Sequence, residues 1–222
     1  MAPSLSALAL VTLIALLAVL PRLVASQPIR PELLMHQLRN PGVRVGIIAT
    51  ALLVFGHFAA YTFVSPALQK LSGIDERYVG PLLFGFGAAG MIGNFVAGSA
   101  LSRRVHRSVL TIAVAMTATM PLFLLLGQTA IGGAILLIIW GLAFGGVSVG
   151  LQTWMIRAAP QAVGAASSLW VAVFNLSIGC GALAGGIIVD ALTLQGVFWL
   201  GGGCALLAAL AIGTARTNDA MR

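Results

Sequence analysis

The side chains best suited to chemistry in this sequence are polar residues set inside long apolar runs. His57 comes first, with Tyr61 one helical turn later on the same face and Thr62 beside it. An imidazole in an apolar run can take and release a proton. Flanked by a phenol and a hydroxyl, it presents a polar stripe to a solute in a water-filled cavity; the alternative is a histidine hydrogen-bonded to a neighbouring helix. Asn94, Gln152 and Asn175 are the other strong polar groups, and each either contacts a solute or joins two helices. Trp140, Phe144, Trp154, Trp170 and Phe174 either line a pocket or, near a helix end, anchor at a membrane interface. No Asp or Glu falls deep inside an apolar run: Asp190 lies at the end of one, and Asp75 and Glu76 lie in a loop between two. A carboxylate proton carrier is therefore missing, and any coupling proton must use His57 or a group elsewhere.

Two patterns borrowed from soluble enzymes fail on context. Gly85-Phe86-Gly87-Ala88-Ala89-Gly90 matches the dinucleotide fingerprint, which works only between a strand and a helix with an acidic residue further on; here it lies in mid-run with no such residue. Gly146-Val147-Ser148-Val149-Gly150 matches a nucleophile elbow, which needs a strand-to-helix turn and a later histidine, yet His36, His57 and His106 all precede Ser148. Asn175-Leu176-Ser177 is buried in a run and is not a glycosylation acceptor. Cys180 and Cys204 also sit in runs, with no metal-ligand spacing, and read as unpaired thiols. No catalytic constellation survives, and the reading is of a non-enzyme.

Elements that could hold these groups follow from composition. Of 222 residues, 59% are hydrophobic and only 8% charged, with a mean hydropathy of +1.05. A soluble domain carries about 25% charged residues, so this surface must meet lipid. The net charge of +7 does not mark a nucleic-acid patch, because the basic residues occupy short gaps between apolar runs. A helix needs about 20 apolar residues to cross the hydrocarbon core. Seven stretches qualify: Leu5–Val24, Val45–Ser65, Val79–Leu101, Val109–Gly127, Ile131–Met155, Val163–Val189 and Val197–Ala215. Each must be helical, since a lone strand leaves backbone groups unsatisfied in lipid. The expected fold is an all-α membrane protein with about seven transmembrane helices. The first run lacks a basic leader, is longer than the apolar core of a signal sequence, and has Arg22 after it rather than before, so it reads as a retained helix.

Placing the N-terminus outside puts Arg22, Arg30, Arg39, Arg44, Arg103, Arg104, Arg107, Arg157, Arg216 and Arg222 inside, against Lys70 and Arg77 outside. That is the asymmetry of the positive-inside rule, with a cytoplasmic C-terminus. The organisation is then a single transmembrane helix over residues 1–26, a cytoplasmic linker over 27–43, and a six-helix bundle with a short tail over 44–222. In the linker, Pro31 opens a short helix with Leu33, Leu34 and Leu38 on one face, lying on the membrane surface. Small residues four apart let membrane helices approach closely. Gly141 with Gly145, Gly146 with Gly150, Gly90 with Asn94 and Gly98, and Gly181 with Gly185 have that spacing.

Particular stretches resemble a known family. Gly56-His57-Phe58-Ala59-Ala60-Tyr61-Thr62-Phe63-Val64-Ser65-Pro66 is similar to the seventh helix of bacterial drug, sugar and nucleoside efflux permeases of the major facilitator superfamily. Gly93-Asn94-Phe95-Val96-Ala97-Gly98 running into Ser102-Arg103-Arg104 resembles the eighth helix and its loop, and Gly179 to Asp190 the eleventh. The loop after Gly98 looks like a worn copy of the family's glycine–aspartate–arginine signature. Ser102 stands in place of the aspartate and Val105 in place of a glycine, while Arg103 and Arg107 match basic positions and Arg104 lies between them.

The resemblance implies a fold of two six-helix bundles with substrate between them, exposed alternately to each side. It matches the first run to helix six and the rest to the C-terminal bundle. It places His57, Tyr61, Thr62, Asn94, Gln152 and Asn175 as candidates for the cavity wall. The implied function is secondary active efflux of a small organic solute from a bacterial inner membrane, with proton coupling possible and no bound cofactor. Helices one to five of such a fold are absent. The expectation is a truncated product; a half that pairs with a front-half bundle and a half that pairs with a second copy are the other accounts. The rival functions are a non-transporting membrane subunit or inactive remnant, and a membrane-embedded enzyme.

Overall fold

The structure is a computed structural model, and it describes Leu10, Ala15 and residues 31–215. The chain divides into two compact units, residues 1–30 and 31–222. In the first, Leu10 and Ala15 are helical; the expected span Leu5–Val24 otherwise lies outside the described residues. The described part of the second unit is built of helices joined by short turns: α1 Pro31–Gln37, α2 Pro41–Tyr61, α3 Val64–Lys70, α4 Glu76–Leu101, α5 Val105–Leu126, α6 Ala130–Ala158, α7 Val163–Ala191 and α8 Gly196–Gly213. Six of these, α2 and α4 to α8, are long and apolar enough to cross a membrane.

Short polar devices set the helix ends. Asn40 caps α2 by accepting from the Gly42 and Val43 amides, and Pro41 follows at the first helical position. The helix thus starts inside the stretch read as linker. Its far end also differs: the apolar run continues to Ser65, but α2 stops at Tyr61. Pro66 is the reason. It lacks an N–H, and its ring would clash with the Thr62 carbonyl in a continuous helix. The chain breaks at Thr62–Phe63 so that Pro66 falls in the first turn of α3, where a missing donor costs nothing. Gly73, at φ +67°, then lets the Ile74 amide reach back to the Leu68 carbonyl. Thr129 caps α6 through the Gly132 amide, closing the tight α5–α6 hairpin.

Outside the α5–α6 hairpin, neighbours in sequence are not the main neighbours in space. α4 packs chiefly on α6, and α2 on α7 and α8, while α5 packs on α6 and α8. Lipid gives no hydrophobic drive for this, so backbone approach and interhelical bonds do the joining. A side-chain carbon at Gly141 would run into the Phe86 carbonyl of α4, and one at Gly145 into that of Gly90. Gly181 and Gly185 face the Phe55 and Ala59 carbonyls of α2 in the same way. Gly146 and Gly150 receive Ile112 of α5. Three of the four small-residue pairs read from the sequence are therefore helix contacts. Gly98 is different, having nothing within 4 Å of where its side chain would be.

One end of the bundle gathers Arg44, Arg103, Arg104, Arg107 and Arg157; the other carries Lys70, Asp75, Glu76, Arg77 and Asp190.

Candidate functional site

His57 sits at 1% exposure on α2, surrounded by rings from α2, α4 and α6. Its imidazole stacks on Phe144 with centroids 3.3 Å apart and planes 7° from parallel. Tyr61 stacks 5.1 Å away and in turn on Phe86, at 4.8 Å. The Trp140 indole, fully buried, donates from Nε1 to His57 Nδ1 over 3.1 Å. Tryptophan can only donate, so Nδ1 is the acceptor and the proton of the neutral ring is on Nε2. Of the two arrangements open to His57, a bond to a neighbouring helix is the one its Nδ1 makes. Trp140 also meets the stacked Phe123–Phe198 pair, extending the aromatic cluster to α5 and α8.

The remaining candidates lie on open faces. Tyr61 is half-buried; Thr62, exposed, donates its hydroxyl to the Phe58 carbonyl. Asn94, Gln152 and Asn175 are all exposed, and Asn175 donates to the Val171 carbonyl of its own helix. None of the three bonds to another helix among the described residues.

Their surroundings explain what those faces are. α4 and α7 are the least buried spans, with 22% and 17% of their apolar windows inside the protein. Helical spacing divides each exposed surface into two flanks. On α4, Phe84, Met91 and Phe95 make one flank, exposed at 78%, 63% and 82%. Gly87, Asn94 and Gly98 make the other. On α7, Leu176, Leu183 and Ile187 form an exposed apolar flank, while Ser168, Asn175, Gly179 and Gly186 form a small and polar one. Nothing lies within 4 Å of the side-chain positions of Gly87, Gly98 or Gly179. These glycines have no packing reason within this unit. An apolar flank suits acyl chains; a small, polar flank suits a solute or a second protein surface.

Gly98 is half-buried near the end of α4, and Arg103, Arg104 and Arg107 are exposed around the turn into α5. Arg157, at the end of α6, donates toward the Leu101 and Ser102 carbonyls of that turn.

Sequence reading missed several ties. Asn40 also donates to the Ala158 carbonyl at 2.8 Å, and Trp154, weighed as a pocket liner or anchor, donates to the Gly42 carbonyl. His106 bonds the Ile212 carbonyl, and Ser72 donates to that of Gly127. Only asparagine before proline at a helix start gives a sequence signal, and it signals the cap, not the tie. Trp170 is 8% exposed, and its Nε1 has no partner among the described residues.

Fold and faces define a polytopic α-helical membrane protein whose six described spans make one bundle, with small, polar flanks on α4 and α7. The sequence matches the family model of the Major Facilitator Superfamily over residues 3–166, and the chain belongs to that family. It is 34% identical over 182 residues to the transcription regulatory protein OpdE of Pseudomonas aeruginosa, covering 82% of this chain and 45% of that protein. It is 32% identical over 193 residues to the purine ribonucleoside efflux pump NepI of Salmonella paratyphi B, covering 87% of this chain and 49% of that one. The chain thus spans about half the length of these curated relatives. The crystal structure of the POT family transporter PepTSo shares the fold, with a TM-score of 0.65 at 13% identity, over 78% of this chain and 37% of that one.

Proposed function

We propose that this chain forms the C-terminal half of a secondary active exporter of a small organic solute, a drug, sugar or nucleoside, with a purine nucleoside the first to test. The observation that carries the reading is the match to a purine ribonucleoside efflux pump along 87% of the chain. The small, polar flanks of α4 and α7 support it, because an alternating-access cavity needs walls that favour neither acyl chains nor permanent packing. Asn94, Asn175 and Gln152 are the proposed solute contacts, with the Trp170 indole as a further donor. His57, Tyr61 and Thr62 back that wall. A front-half bundle or a second copy of this chain supplies the opposite wall, and a proton gradient is the proposed driving force. The arginine-bearing end faces the cytoplasm of a bacterial inner membrane.

The test is accumulation of labelled purine nucleosides, sugars and cationic drugs in cells producing this chain, alone and together with the front half of a full-length relative. Reduced accumulation of one class, reversed by Asn94→Ala with Asn175→Ala, is the expected outcome. No change for any class in either setting, with the chain inserted, would establish the rival reading of a non-transporting membrane subunit.

A further inference from the structure

α4 and α5 are joined by a three-residue turn yet scarcely pack against each other, because each leans on α6. A groove of about 860 Å³ opens between them. That volume is within the range of about 300–1,000 Å³ typical of small-ligand sites. Its floor is Leu142, Ala143 and Gly146 of α6, and its walls include Val96 and Ala100 of α4 and Ala115 of α5. The lining is apolar except at one end, where Arg103, Arg104 and Arg107 close it. It opens on the opposite flank of α4 from Gly87, Asn94 and Gly98. Exposed Val96 and Ile139 lie along it, so its rim is apolar and suited to acyl chains.

Charge selects the occupant. Among the described residues the only ion pair is Arg77 with Asp75, and no carboxylate pairs with the three arginines. The carboxylates between residues 40 and 215, Asp75, Glu76 and Asp190, all sit at the opposite end of the bundle. The serine hydroxyls beside the arginines are already used: Ser99 donates to the Val96 carbonyl, Ser102 to that of Ser99, and Ser108 to that of Arg104, while Thr111 lines the groove one turn further in. What remains is a largely apolar slot ending in three guanidinium groups that have no carboxylate partner among the described residues. We propose that this groove seats an anionic phospholipid, its acyl chains against α6 and its phosphate held by Arg103, Arg104 and Arg107. Basic pockets between transmembrane helices hold anionic headgroups by the same physics.

The test uses the full chain in detergent micelles, titrated with phosphatidylglycerol, phosphatidylcholine or chainless glycerol phosphate, with retained lipid counted by native mass spectrometry. Phosphatidylglycerol should bind more tightly than phosphatidylcholine by on the order of a hundredfold, about fivefold for each arginine. Arg103→Gln and Arg107→Gln should each remove about fivefold of that preference. Ala115→Phe, which fills the slot and leaves the arginines in place, should weaken phosphatidylglycerol without touching the weak binding of glycerol phosphate. Equal retention of the two lipids would overturn the proposal, as would a preference that survives both glutamine variants. Glycerol phosphate competing as well as the intact lipid would show a free-phosphate site instead. Loss of the preference on dimerisation, or on adding a front-half bundle, would place protein in the groove.

Discussion

Replacing His57 tests the central cluster most directly. His57→Ala removes the acceptor for Trp140 and the ring stacked on Phe144 and Tyr61. Deleting a large buried side chain costs about 2–5 kcal/mol in soluble cores, and an interhelical hydrogen bond in a membrane protein averages about 0.6 kcal/mol with a maximum near 1.7. The packing loss therefore dominates, and the expected destabilisation is about 3–4 kcal/mol. His57→Phe separates the two contributions. It keeps a ring in the stack but strands the Trp140 N–H at 0% exposure, so the loss should fall to about 1–2 kcal/mol. A cycle adding Trp140→Phe should return a coupling of about 0.6–1.7 kcal/mol. The assay is reversible unfolding in mixed micelles with rising dodecyl sulfate, followed by helical circular dichroism. Equal losses for His57→Phe and His57→Ala, or a coupling indistinguishable from zero, would refute the reasoning. No stability loss combined with lost transport would instead make His57 a solute contact.

Other perturbations separate close contacts from open faces. Gly185→Val drives a side chain into the Ala59 carbonyl and should cost about 1–3 kcal/mol in the same unfolding assay. Gly179→Ala, with open space around it, should leave stability within about 1 kcal/mol yet lower export by the assembled transporter. Asn40→Ala loses both the α2 cap and the bond to Ala158; about 2 kcal/mol is expected, and faster hydrogen exchange in the first turn of α2 would localise it. Ser72→Ala should cost about 1 kcal/mol by leaving the Gly127 carbonyl without its donor.

Much of the fold was legible because lipid makes length and hydropathy decisive. All six described spans were found from apolar runs, and the glycine pairs at 141/145, 146/150 and 181/185 read as contacts because spacing alone sets which residues share a face. Failures came where one residue overrules a run. Pro66 ends α2 four residues early, although Phe63 to Ser65 remain apolar enough to continue it. Gly98 has the same four-residue spacing as the contact glycines but faces open space, a distinction no spacing rule makes. At the site, the types were visible and the partners were not. His57 stood out as an ionisable group in a span, but nothing local shows that its acceptor nitrogen meets an indole 83 residues away.

The packing order also bears on synthesis. α2 is the first described span to be made, yet α7 and α8, which cover most of it, are the last. About 100 residues must follow Tyr61 before α7 begins, roughly 5–20 s at ordinary elongation rates. Through that interval α2 sits in the bilayer with Gly56 and the Phe55 and Ala59 carbonyls uncovered. α4, α5 and α6 can assemble among themselves meanwhile. The bundle is thus closed by its final helices, and a ribosome that stalls before α7 leaves an open intermediate suited to recognition by a membrane protease or chaperone.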